Sequence, residues 1–398
     1  MIVTIIILAI ILWIVYMMDK RKEYPPGPFP LPLIGNLHLL RKDIHLAMDR
    51  LSKEYGGMFT LWMANIPYVV ITDIDVAKKV CMTRTYADRL PLYVGDVLYS
   101  RGSKDIIMGD YGKSLVLHRK LAHSALKMFG DGMITLETRI LKSFDNFLKS
   151  CNNHLGDENF NVSGDVEHAF FNVMSSIVFG EFMDKKDERF VAIRKAVFFM
   201  MQSGVTFSLM NFYPILRHLP NKELTETIKV IEERDETLRM AFDKTEKEYN
   251  IDNEPNSYIE ALLRAKHQAE EEDGKGSVSN FLSRDHLEMN VFDMFLGGVE
   301  TVSMTAMWSI LYLIKWPRVQ DVIHEQLDKV IGRPNPNEEV NTRIRLENKK
   351  DLPLVMATIY ETLRLSSPLP FGVFHKSRED SQLNGYNLKK GNHLMSYK

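Results

Sequence analysis

The residue types best suited to chemistry sit together: Gly297 and Gly298, followed after one valine by Glu300 and Thr301. Each glycine costs roughly 1 kcal/mol against alanine in a helix interior, so a pair asks for a reason. Two absent side chains let a flat ligand lie on the backbone, with a carboxylate and a hydroxyl beside it. A local distortion of the helix there would free backbone groups for water, and Glu300 and Thr301 could then relay protons. Close helix packing at the glycines, with Thr301 bonded back to a preceding carbonyl, is the alternative. A second constellation, Glu361 and Arg364, is spaced i to i+3, which puts both on one helix face. An exposed pair of this kind contributes at most about 1 kcal/mol, while removing one member of a buried pair costs about 3 to 5 kcal/mol. Spacing does not choose between them. The 12 histidines show no metal-ligand spacing; His118 and His123, for example, point to different faces of a helix.

These groups need long elements to hold them. Asp285 to Ile314 is an apolar run that would reach about 45 Å if wholly helical. It is apolar nearly all round from Val291 to Leu313, which predicts a buried central helix. A second membrane span is opposed by Asp293 and Glu300, each costing about 2.5 to 3.5 kcal/mol or more at a bilayer centre. Asp351-Leu352-Pro353 opens, and Pro368 and Pro370 stop, the helix that carries Glu361 and Arg364. Apolar periodicity predicts further helices over Ile74 to Met82, Leu115 to Met128, Asp131 to Lys149, Val166 to Phe179, Asp187 to Ser203, Lys222 to Glu248 and Ser257 to Glu272. Met58 to Trp62 and Tyr68 to Thr72, separated by Asn65 and Pro67, read as a β-hairpin. Glu270 to Ser279, acidic and then Gly/Ser-rich, reads as a surface loop.

Ile2 to Met18 is apolar except for Thr4 and reaches about 26 Å as a helix, enough to span a bilayer. The flank Lys20, Arg21, Lys22 places the rest of the chain on the cytosolic side, so the sequon at Asn161 should be unused. Pro25-Pro26-Gly27-Pro28-Phe29-Pro30-Leu31-Pro32 cannot be helix and ends the anchor as a semi-rigid spacer. A formal net charge of -2 argues against bulk nucleic-acid binding, although a local basic patch can still steer a partner. Two cysteines, Cys81 and Cys151, exclude a disulfide framework and fit a reducing compartment.

Taken in order, the anchor, basic flank, Pro-Pro-Gly-Pro, the Gly297-Gly298-Val299-Glu300-Thr301 helix and Glu361-Thr362-Leu363-Arg364 followed by Pro368-Leu369-Pro370 resemble the microsomal cytochrome P450 family. Asn172 to Gly180, Trp316 to Gln320, Val330-Ile331-Gly332 and Leu383-Asn384-Gly385-Tyr386 extend the resemblance to about residue 392. The last residues, His393 to Lys398, are expected to leave the pattern. The resemblance implies a mainly α, prism-like fold with a small β-rich lobe, preceded by one transmembrane helix. Residues 1–19 would be the anchor, 20–36 a basic and proline-rich hinge, and 37–398 the catalytic domain. It implies haem b held between two long helices, in a monooxygenase that inserts one oxygen atom from O2 into a small apolar substrate. Electrons would come from NADPH-cytochrome P450 reductase, with cytochrome b5 as a second redox partner, at the endoplasmic reticulum membrane.

On the matching positions, Thr301 would hydrogen-bond the bound oxygen or its water, and Glu300 would feed the proton relay. Gly297 and Gly298 would face the haem, Arg119 and His375 would bind its propionates, and Glu361 with Arg364 would brace the core. Leu296, Val299, Leu369, Val373 and Phe374, with Phe207 to Phe212, would line the substrate pocket. Lys113, Arg119, Lys120 and Lys127 would offer a basic face to an acidic reductase. Three departures stand out. Leu115-Val116 follows Tyr111-Gly112 where the family usually has Trp-Arg, which removes one propionate anchor, and Val302 replaces a second threonine. The Phe-x-x-Gly-x-Arg-x-Cys-x-Gly loop does not occur, so the chain is expected to be incomplete at its C-terminus and to lack the axial cysteine. Neither Cys81 nor Cys151 has the setting of a thiolate ligand, whose hydrogen-bonded loop tunes its push on the iron. A non-catalytic membrane protein of the same fold, acting as a binding or decoy protein, is the alternative expectation.

Overall fold

Every segment whose apolar spacing predicts helix is helical in the computed structural model, which describes residues 2–40, 43–130, 133–157, 159–202, 207–272, 281–333 and 344–397. The helices begin with α1 (Ile2–Lys20), α2 (Ile44–Tyr55), α3 (Ile74–Met82), α4 (Lys113–Gly130), α5 (Met133–Asn153), α6 (Ser163–Val178) and α7 (Glu188–Gln202). A one-turn α8 (Leu209–Phe212) precedes α9 (Lys222–Glu248), α10 (Tyr258–Glu272), α11 (Arg284–Gly298), α12 (Glu300–Lys315), α13 (Pro317–Ile331) and α14 (Pro353–Ser366). The strands are β1 (Met58–Met63), β2 (Ile66–Ile71), β3 (Asp88–Arg89), β4 (His375–Lys376), β5 (Ser381–Leu383), β6 (Tyr386–Leu388) and β7 (His393–Ser396). The start of the helix expected from Asp131, the end at Ser203 of the helix expected from Asp187, and most of the loop expected from Glu270 to Ser279 lie outside the described residues. The chain divides into two compact units, Met1–Leu117 with Phe199–Ile231 and Leu369–Lys398, and His118–Phe198 with Glu232–Pro368.

In the first unit, a mixed sheet runs in the order β1-β2-β7-β4-β3. Strand side chains alternate between faces, and here both faces are covered. Phe59, Leu61, Met63, Tyr68 and Val70 join Met48, Leu51 and Phe374 in one core, while Met58, Val69 and Ile71 join Val80, Leu383 and Leu388 in another. Two-sided burial is why both hairpin strands read as nearly continuous apolar runs. Asn384 and Gly385, both with positive φ (48° and 85°), turn the chain tightly between β5 and β6.

One expectation is corrected in this sheet. Residues 393–396 form β7, parallel to β2 with Tyr68 opposite His393 and antiparallel to β4. Leu394 and Met395, both fully buried, point into the two opposite cores, so this segment is an inner strand of the sheet. At the N-terminal end α1 is exposed along its length except near Met17. Its Trp13 meets Phe29 edge-on with ring centroids 6.0 Å apart, and Arg21 covers the Phe29 ring and donates to the Gly27 carbonyl. The proline-rich spacer is therefore latched onto the end of the anchor.

In the second unit α6 packs against α5, α10, α11 and α12. The run expected to be one buried central helix is two helices, broken at Val299 (φ -99°, ψ -64°). Only the first is buried: α11 hides Leu287 through Asp293, Phe295 and Leu296, whereas α12 hides Ser303 alone. Val302, Leu311 and Ile314 of α12 are exposed, because α6, α13 and α14 leave one side of it uncovered. α11 is therefore a core element, whereas the α12 half of the same apolar run is largely exposed.

Candidate functional site

The two glycines have different surroundings. A Cβ built on Gly298 would lie 2.8 Å from the Met174 sulfur on α6, so this glycine permits close helix packing. A Cβ on Gly297 would meet nothing within 4 Å, and the residue is exposed. A flat ligand can therefore lie on Gly297. Immediately beyond, the helix breaks at Val299, and Thr301 reaches back across the break to donate its hydroxyl to the Gly297 carbonyl at 2.7 Å.

Glu300 is half-buried and faces charged groups on α6 and α7. Arg194 grips Glu167 with two bonds of 2.7 and 2.8 Å. Burial first, and then the Glu167 charge, raise the Glu300 pKa above the ordinary carboxylate value, with Arg194 opposing. Burial thus makes the Glu300 carboxyl harder to ionise, while the hydroxyl of the next residue, Thr301, is turned back to the Gly297 carbonyl. Leu296 and Val299 on either side are buried in this unit.

On α4, Arg119 is exposed and Leu115 is buried. In the first unit His375 Nδ1 lies 2.6 Å from the Tyr86 carbonyl, to which it donates. Its Nε2 is then the acceptor for Arg89 Nη1 at 3.0 Å, on the strand paired directly with it. Burial and the Arg89 charge both lower the His375 pKa, keeping the ring neutral. Arg89 was not singled out in the sequence: it lies in a two-residue strand, too short for a periodic signal, and only the pairing with His375 brings it forward.

Phe207 and Phe374, from two segments expected to line a pocket, meet edge-on at 6.0 Å, and Phe374 also meets Tyr68 at 6.1 Å. Val373 is half-buried and Leu369 exposed at the edge of this aromatic group. Glu361 and Arg364 pair through bonds of 2.8 and 2.6 Å with side chains 55% and 64% exposed, which is the exposed case of the two left open by spacing. Glu361 lies at the rim of an apolar cleft of about 510 Å³ formed by Trp316, Val319, Val322, Leu354 and Leu365.

These residues fit one part of a haem and not another. Within the second unit Gly297 offers a bare surface for the ring plane and the exposed Arg119 offers donors suited to carboxylates, while in the first unit both His375 nitrogens are engaged, by the Tyr86 carbonyl and by Arg89. The iron finds no thiolate here: Cys81 is exposed at the end of α3, and Cys151 lies near the end of α5, where burial raises its thiol pKa. Among the described residues no three His, Cys, Asp or Glu side chains gather as a metal site.

The sequence model of the family described as "Cytochrome P450" matches residues 25–397, which takes in β7. Steroid 17-alpha-hydroxylase/17,20 lyase of Oryzias latipes is 31% identical over 403 residues, covering 99% of this chain and 76% of that protein. Cytochrome P450 2D6 of Homo sapiens is 28% identical over 407 residues, covering 98% and 78%. A solved zebrafish cytochrome P450 with progesterone superposes with a TM-score of 0.76 at 25% identity, over 89% of this chain and 78% of that one. From the motifs, the fold and this match along nearly its whole length, the chain belongs to the cytochrome P450 family.

Proposed function

We propose that the chain is a haem-dependent monooxygenase of the microsomal type, acting on an apolar substrate of steroid size. The observation that carries this reading is the open Gly297 surface beside Glu300 and Thr301 at the helix break. Haem b, when bound, supplies the O2-activating chemistry; the residues of this chain handle the ring, the substrate and the protons. Gly297 receives the ring face. Arg119, exposed on α4, meets a propionate through charge-assisted hydrogen bonds. Thr301 exchanges its internal bond to the Gly297 carbonyl for one to water, and Glu300, whose pKa is raised by burial, resupplies the proton. Insertion of one oxygen atom of O2 into a C–H bond releases the other as water and consumes two protons and two electrons, the electrons from the reductase, so a proton supply is required.

The Phe207, Phe371 and Phe374 aromatic group supports an apolar substrate, and a relative named as a steroid hydroxylase together with a homologous structure holding progesterone support a steroid. NADPH-cytochrome P450 reductase would dock on the exposed Lys120 and Lys127 of α4, a face that cytochrome b5 could also use. The exposed apolar α1 with its basic flank supports anchoring in the endoplasmic reticulum membrane with the body in the cytosol. One observation favours a second reading, a non-catalytic binding protein of the same fold: neither cysteine is placed to ligate iron. Incubation of the membrane-embedded chain with reductase, NADPH, isotopically labelled O2 and a panel of steroids and fatty acids distinguishes them. Label in a steroid product is the expected result. Substrate binding without any labelled product would establish the second reading.

A further inference from the structure

Where α4 meets α11 two polar side chains, His118 and Asn290, are buried together, on a line of groups whose ends are exposed. Ser283 precedes α11, and His286, Asn290 and Gly297 follow at steps of three, four and seven residues, so they share one face. His118 of α4 sits on that line. Asn290, 1% exposed, donates Nδ2–H to Nδ1 of His118, 2% exposed, at 3.0 Å. The His118 ring stacks on His286 with centroids 4.6 Å apart and planes 12° apart, and His286 Nδ1 lies 2.8 Å from the Ser283 hydroxyl. Burial and the neighbouring His286 hold the His118 pKa down to about 4, so the ring is neutral and Nδ1 can accept.

Other buried residues of these helices in this unit, Leu121 and Ala122 on α4 and Leu287 and Val291 on α11, are apolar. Apolar contacts alone would tolerate rotation of one helix against the other. A buried amide that lost its acceptor would not, because the unsatisfied group costs more than the bond contributes. Successive helical residues are about 100° apart, so fixing the direction of His118 also fixes that of Arg119. Asn290 and Gly297 are two turns apart on the same face, about 10 Å.

We propose that the His118–Asn290 bond is a positioning lock that sets the rotation of α4 against α11, so that Arg119 is presented to the acidic edge of a ligand lying on Gly297. The role rests on the proposed function, since haem is that ligand. The lock is a property of this chain's own side chains and is testable without haem.

The test uses the full chain in detergent, with haemin as the probe. Asn290→Leu removes the donor at similar volume, and Arg119→Ala removes the cation. Each single variant should weaken haemin binding about tenfold or more, and the double variant should bind no more weakly than Arg119→Ala alone. His118→Gln, whose amide oxygen can accept from Asn290, should recover most of the affinity lost in His118→Phe. Losses that multiply in the double variant, or unchanged affinity in Asn290→Leu, overturn the positioning role. Hydrogen exchange of the haem-free chain tests the lock itself: amides around His118 in α4 should exchange faster in Asn290→Leu, and unchanged rates overturn it. A wild-type chain that takes up no haemin refutes the proposed function and, by leaving Arg119 without its ligand, the positioning role as well.

Discussion

Alanine at Gly297 and at Gly298 should have opposite effects on stability. At Gly298 the new Cβ would lie 2.8 Å from the sulfur of Met174, 3.1 Å from its Cε and 3.3 Å from its Cγ. Helix propensity favours alanine by about 1 kcal/mol, while overpacking a buried contact costs about 1 to 3 kcal/mol. The atoms met are the far end of Met174, buried but flexible, so the cost falls in the lower half of that range, about 1 to 2 kcal/mol, and the net expectation is a loss of up to about 1 kcal/mol. At Gly297 the Cβ meets nothing, so the propensity gain survives and stability should rise by up to about 1 kcal/mol. Urea unfolding of the full chain in detergent, read at constant slope, measures both. In a Met174→Ala background the Gly298→Ala penalty should become a gain, a coupling of about 1 to 2 kcal/mol. Equal stability of the two alanine variants, or no coupling to Met174, would refute the assignment of Gly298 to packing and Gly297 to an open face.

Three further outcomes follow from the structure. His118 is buried and His393 half-buried, and both are neutral rings with pKa values pushed down to about 4. The unfolded chain therefore binds more protons between pH 6.5 and 4, and stability should fall across that window as pH drops, by up to about 3 kcal/mol per ring at the acid end. A flat stability profile over that window in pH-dependent unfolding would contradict the burial of both rings. Glu361→Gln should leave the unfolding midpoint of this chain unchanged, since both members of its pair are exposed; a clear drop would mean that the pair braces the core. Charge reversal at Lys120 and Lys127 should slow electron delivery from the reductase and reduce its sensitivity to salt. Unchanged stopped-flow reduction kinetics would remove α4 as the docking face.

The elements were legible where one physical signal dominated. Lys222–Glu248 and Ile74–Met82 follow directly from apolar periodicity, and the β1–β2 hairpin from two apolar runs around Asn65 and Pro67. The break at Val299 was foreshadowed by paired glycines, but which glycine packs and which stays open depends on Met174, more than 120 residues away. Burial of the long apolar run failed for a related reason: apolarity predicts that a surface needs covering and does not say what covers it, so α11 and α12 read alike, yet one hides nine residues and the other one. Residues 393–396 were missed because a strand that short has almost no period; its identity comes from pairing with β2 and β4. Arg89 escaped for the same cause. Its role depends on a partner 286 residues along the chain.

Haem content decides the central assignment most directly. The full chain, expressed in membranes with haem precursor supplied and purified in detergent, should carry haem in proportion to protein by its pyridine haemochromogen spectrum. Gly297→Leu, which fills the open face while leaving the fold, should abolish it. A wild-type chain without haem, or a Gly297→Leu variant that keeps it, would contradict the placement of the haem on this helix.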